Sequence, residues 1–179
     1  DREGNIGYSF AGKVPIRARG DGRLPVPGWS GEYEWTGYVP YEELPHLYNP
    51  PQGYIATANN RVTDAGYPFY LGYDHCTSDR ARRIVELIEA QARIDVPAIQ
   101  RMQFDQRPPL ARTVARIAGE TEVQGEELPQ LVGLLRAWDG ELGADSAAAA
   151  VYEVLLRELS TLLLRDTLGD LTTRYMGKG

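Results

Sequence analysis

Proline and glycine interrupt the chain so often before residue 76 that no long helix fits there, and beyond it they thin out. Eight of the twelve prolines and eleven of the nineteen glycines lie in residues 1–75, together with nine of the eleven tyrosines. Proline removes a backbone donor and glycine costs order in a regular element, so this segment is expected to fold as short strands and ordered loops. Past residue 75 apolar residues recur at three- and four-residue spacing behind capping residues, the mark of amphipathic helices. The expected fold class is α+β: a β/loop segment over residues 1–75, then a mainly helical segment over 76–179.

Within the first segment, residues 5–10, 13–17 and 32–39 are read as strands and 41–44 as a helical turn. Residues 20–31 hold too much Gly and Pro for regular structure. In the second, Thr77 and Ser78 are good N-caps for a helix with Ile84, Leu87, Ile88 and Ile94 on one face. Pro97 starts a short helix, and Pro108-Pro109 starts another with Leu110, Val114 and Ile117 inward and Gly119 at its end. A fourth runs from Glu126-Glu127-Leu128 to Trp138. Asp145 or Ser146 caps a long fifth, with Val151, Val154, Leu155, Leu159, Leu162 and Leu163 as its apolar stripe and Gly169 as its breaker.

A net charge of −6 with interspersed signs argues against a nucleic-acid footprint, which needs a basic face. No run is long enough to span a bilayer as a helix. The single cysteine, Cys76, excludes an internal disulfide and a cysteine-based zinc cage. His75-Cys76 is a poor nucleophile–base pair, because neighbours on extended chain point opposite ways.

Asn49-Pro50-Pro51-Gln52-Gly53 reads as a rigid turn that releases the backbone into Tyr54-Ile55-Ala56-Thr57-Ala58, expected to be a buried strand. It ends on Asn59-Asn60. A carboxamide at a strand end offers N–H donors to a cleft beyond the sheet, where a developing oxyanion can be stabilised. The plainer use is local: Asn tolerates the left-handed region and bonds its own backbone in turns.

Several blocks occur in an order that resembles the β-chain of the penicillin acylase family, N-terminal nucleophile (Ntn) hydrolases. They are Asp1-Arg2-Glu3-Gly4-Asn5-Ile6-Gly7-Tyr8, Gly20-Asp21-Gly22-Arg23-Leu24-Pro25-Val26-Pro27-Gly28-Trp29, Glu34-Trp35-Thr36-Gly37-Tyr38-Val39-Pro40 and the stretch from Asn49 to Val62. The match is densest through about residue 103, with Trp138-Asp139-Gly140 and Asp145-Ser146 as later anchors. The resemblance implies part of an Ntn-hydrolase αββα core, the two segments forming one incomplete domain. It implies hydrolysis of the amide bond of N-acyl compounds, β-lactam antibiotics or N-acyl homoserine lactones. The attacking group is a free N-terminal Ser whose own amine serves as base. Asp1 is no equivalent nucleophile, so that Ser, with the remaining α- and β-chain segments of the same precursor, is expected outside this chain, and the chain alone is expected to be inactive.

By the same resemblance Asn59 is the side-chain oxyanion donor, and Arg80, in Asp79-Arg80, supports the active site. On local sequence Arg80 is simply an exposed helix charge. No cofactor is expected here. Calcium belongs to some members as full-length proteins, with Gly22 at one carbonyl-donor position and the other ligands outside this chain. The rival function is a non-catalytic binding or assembly module on the same scaffold. If absent sheets normally cover the last long helix, the isolated piece would expose an apolar patch and self-associate. Members are often periplasmic or secreted, and the sequence leaves the compartment open.

Overall fold

A computed structural model describes residues 1–177. It is α+β, and its contacts divide into two units, residues 1–85 and residues 86 onward.

The first unit carries four short strands, β1 (Gly7–Ser9), β2 (Pro15–Arg17), β3 (Trp35–Tyr38) and β4 (His46–Tyr48), and a 3-10 turn at Tyr41–Glu43. They pair as two antiparallel ribbons, β1 with β4 and β2 with β3. The second has a register break between Ile16 and Arg17. Arg17 lies over the Trp35 ring and Lys13 over Tyr38, at 5.9 and 5.5 Å from the ring centroids. Such exposed cation–π contacts contribute about 0.5–1 kcal/mol each. Asn49 fastens the first ribbon. In the left-handed region (φ 45°), it accepts from the Ile6 amide at 2.9 Å and donates to Asn5 Oδ1 at 2.7 Å. The buried apolar side chains of this unit are few: Val39, Leu44, Ala58 and Ala81.

The stretch 54–60 corrects one expectation. Residues 54–57 are irregular rather than a strand, and 58–60 bend. A strand needs a neighbour to take its ladder bonds, and no described strand pairs with this one. The Asn60 carboxamide instead takes the Ala58 amide at 2.9 Å, a side chain substituting for the ladder.

Helix α1 (Asp79–Glu89) leads out of this unit. Its first backbone bond runs from the Arg82 amide to the Ser78 carbonyl at 2.8 Å. Ile94, expected on its apolar face, lies beyond its end.

The second unit holds α2 (Val96–Gln103), α3 (Pro109–Glu120), α4 (Leu128–Ala137), α5 (Ala147–Leu168) and α6 (Leu171–Tyr175). Asp95 caps α2 by accepting the Ala98 amide at 2.8 Å, with Pro97 in the first turn. Ser146 caps α5 through the Ala149 amide at 3.2 Å, and Gly169 at φ 50° ends it. The core is Ala111 and Ala115 of α3, Leu135 of α4 and Tyr152 of α5, with the Trp138 ring 5.0 Å from that of Tyr152.

The buried face of α3 is rotated from the expected one. Ala111, Ala115 and Gly119 are buried and Val114 packs on the core as expected, while Leu110 and Ile117 are exposed. Small residues let α4 approach: a Cβ on Gly119 would sit 2.8 Å from Arg136 Cγ. Gly119 therefore serves inside the helix as a contact surface and does not end it. The stripe of α5 is only partly covered. Val151 and Leu155 pack on the core, whereas Val154, Leu159, Leu162 and Leu163 are exposed. The 22 residues of α5 outrun the 12 of α3 and 10 of α4. Among the described residues, no helix is long and apolar enough to cross a membrane.

Candidate active site

Asn59 and Asn60 share a chemistry and end up differently. Asn60 spends its carboxamide locally, accepting from the Ala58 amide and donating to the Arg61 carbonyl at 3.0 Å. Asn59 adopts the left-handed region at φ 60°, where Asn is among the residues best tolerated. Buried Ala58 holds the chain immediately before it, and the Asn59 carbonyl accepts from the Cys76 amide at 2.8 Å. The side chain is thus carried to the surface on a backbone fixed from both sides. Its Oδ1 accepts from Arg80 Nη1 at 3.3 Å. Its Nδ2 has no acceptor among the described residues, leaving an oriented N–H pair.

Arg80 sits in the first turn of α1. Asp79 beside it does not pair with it. That carboxylate binds Arg82 at 2.7 Å and takes the Thr77 hydroxyl at 2.9 Å. Arg80 is left to hold Asn59. The two residues singled out from the sequence are 21 positions apart and meet here.

The Asn59–Cys76 bond also closes a loop over residues 60–75. Arg61 braces it from inside, through Nη2 to the Asp64 carbonyl at 3.0 Å and Nε to Thr63 Oγ1 at 3.4 Å. The Tyr67 hydroxyl anchors it outside, donating to the Glu43 carbonyl at 2.8 Å. Burial of the Tyr67 ring, with the charge of Glu43 added, holds the hydroxyl's pKa above its ordinary value, so it stays a donor. Between this loop and Phe10 lies a cavity of about 310 Å3 whose walls include Arg61, Thr63, Phe69, Tyr73 and His75. Asn59 and Arg80 do not line it. Sequence reasoning passed over this cavity. Its one available signal was an arginine directly after the asparagine pair.

His75 and Cys76 stay unrelated as a catalytic pair. His75 faces the cavity and Cys76 is exposed, its amide spent on Asn59. His46 bonds the Leu44 carbonyl at 2.9 Å. Among the described residues no cluster of three or more His, Cys, Asp or Glu could hold a metal. At Gly22, Nη2 of Arg17 lies 3.1 Å from where a Cβ would be.

The family model described as penicillin amidase matches residues 1–178. A penicillin acylase 2 proenzyme from a Pseudomonas species is 39% identical over 167 residues, 91% of this chain and 21% of that protein. An acyl-homoserine lactone acylase QuiP from Pseudomonas fluorescens is 35% identical, covering 92% of this chain and 22% of its own length. Penicillin G acylase from Escherichia coli is 36% identical over 78% of this chain and 17% of its own length. The chain thus spans about a fifth of the length of these curated relatives. Among solved structures, a thermostable penicillin G acylase from Alcaligenes faecalis superposes with a TM-score of 0.72 at 24% identity. The superposition covers 98% of this chain and 34% of that one, a likeness of fold. On the extent of the family match and the identities of these relatives, the chain belongs to the penicillin amidase family.

Proposed function

We propose that this chain is a section of an amide hydrolase of the acylase type, acting on N-acyl compounds such as β-lactam antibiotics or N-acyl homoserine lactones. Its ribbons and loops form part of an Ntn-hydrolase core. The nucleophile, a free N-terminal Ser using its own amine as base, comes from another part of the same precursor. This chain supplies electrostatics. As the nucleophile adds to the substrate carbonyl, charge gathers on the oxygen, and an Asn59 Nδ2 N–H donates to it. Arg80 holds the other end of the carboxamide, so the donor needs little reorganisation when charge develops. Asn59 and Arg80 are the site residues, Arg80 acting through Asn59.

One observation carries this reading: the oxygen of Asn59 is engaged by Arg80 while its N–H pair is left without an acceptor. A turn asparagine would spend its carboxamide as Asn60 does. The test is Asn59→Ala in the full-length protein, with kcat and KM measured on an N-acyl amide reporter. Loss of one oxyanion donor lowers kcat by roughly 10²–10³ with little change in KM. A kcat within a few-fold of the parent sinks the assignment. The isolated 179-residue chain should release no product from a phenylacetamide-type reporter, since it lacks the attacking group. Measurable turnover by the pure chain would show otherwise.

A further inference from the structure

We propose that the cavity enclosed by loop 60–75 is a subsite for an aromatic carboxylate and that Arg61 is its specificity-determining residue. The inference rests on the reading above that Asn59 marks the reacting centre, because the loop starts and closes there. A volume of about 310 Å3 is at the small end of ligand pockets and suits a single substituted ring. Phe10, Phe69, Tyr70 and Tyr73 supply apolar, polarisable walls for that ring.

Arg61 supplies the charge. It lines the cavity, yet no carboxylate among the described residues pairs with it; its bonds go to the Thr63 hydroxyl and the Asp64 carbonyl. Those contacts use one Nη2 proton and the Nε proton, leaving three of the five guanidinium N–H donors for a bidentate partner. The loop's carboxylates do not compete from within. Asp64 and Asp74 are absent from the cavity wall, and Asp64 Oδ1 is taken by the Gly66 amide at 2.8 Å. A planar acid with its ring among the aromatics and its carboxylate on Arg61 satisfies both halves of the wall. In an amide hydrolase such a group would be carried on one side of the scissile bond, and Arg61 would select for it.

The test uses the full-length protein with benzoate and benzamide as probes, binding followed by ligand-detected NMR. Benzoate should bind at least tenfold more tightly, with an advantage that shrinks as salt is added. Arg61→Gln should weaken benzoate about 10–100-fold while leaving benzamide within threefold, and Arg61→Lys should fall between. In turnover, Arg61→Gln should raise KM for an N-acyl aminobenzoate by a similar factor at unchanged kcat, sparing the matching N-acyl aminobenzamide. Equal losses on both substrates would mean that Arg61 only braces its loop, and no preference for benzoate would empty the subsite of its meaning; either overturns the proposal. If Arg61→Gln fails to fold, the benzoate–benzamide comparison on the unsubstituted protein decides alone. Asn59→Ala separates the two readings: it should lower kcat by roughly 10²–10³ yet leave benzoate bound. Normal turnover in that variant would remove the oxyanion assignment without touching the binding result.

Discussion

Adjacent asparagines of identical chemistry are put to different work because their surroundings differ by a few bonds. Asn60 completes a turn. Asn59, left-handed and braced at its carbonyl, is handed to Arg80. An arginine bond to a neutral oxygen on an exposed surface is modest alone, so its value lies in orientation. Arg80→Ala should therefore lower kcat about tenfold, near 1.4 kcal/mol of barrier. The double variant with Asn59→Ala should be no worse than Asn59→Ala alone, because Arg80 acts through that side chain. Kinetics on the four members of this cycle check the point, and additive losses would give Arg80 a role of its own. Asn59 and Arg80 are proposed as site residues through resemblance alone, since an exposed Arg and a turn Asn look ordinary locally. Arg61 was passed over for a related reason: nothing in a linear sequence reports that an arginine lacks an acidic partner.

At the scale of elements, capping and termination were legible and facing was not. Asp95, Ser146, Gly169 and the starting prolines set helix boundaries through backbone rules that act within a turn. Which face of α3 is buried depends on how close α4 comes. Large apolar residues mark a stripe, but helices in tight contact put Ala and Gly at the crossing, and the stripe shifts sideways. Two glycines test this. Gly119 faces Arg136 with no room for a Cβ, whereas Gly133 on α4 has open space within 4 Å. Gly119→Ala should cost about 1–3 kcal/mol through overpacking despite the better helix propensity. Gly133→Ala should gain about 0.5–1 kcal/mol from propensity alone. Urea unfolding midpoints read both, and the same sign for the two would refute the packing account. The lost strand at residues 54–57 belongs to this scale as well: its composition suits a sheet, and pairing is decided elsewhere in space.

For the molecule as a whole, two units of different build sit in one chain, and the helical one has the better core. Tyr152 is at its centre with 2% of its surface exposed. Burial, with the charge of Glu153 added, holds its phenol pKa above the ordinary 10.0. The unfolded chain therefore releases this proton first as pH rises. The stabilising contribution is complete below about pH 10 and is lost as pH climbs towards the folded value. Helical circular dichroism should melt at falling temperature above pH 10, and Tyr152→Phe should flatten that fall. An unchanged slope in the variant would place the alkaline sensitivity elsewhere. The stripe of α5 left open over Val154, Leu159, Leu162 and Leu163 is of the same scale.

By itself the sequence determined what local physics can fix: where glycine and proline forbid helix, where caps begin and end one, the α+β division, and, by the order of its blocks, the family. Only the tertiary structure decided what depends on approach through space. It left residues 54–57 without a strand partner among the described residues, turned α3 onto its small residues, and brought Arg80 against Asn59 across 21 positions. It also folded residues 60–75 round a cavity with Arg61 in its wall. The reason is common to all four: a backbone rule needs only neighbours along the chain, while burial, pairing and charge complementarity are set by residues far along the sequence and near only in the fold.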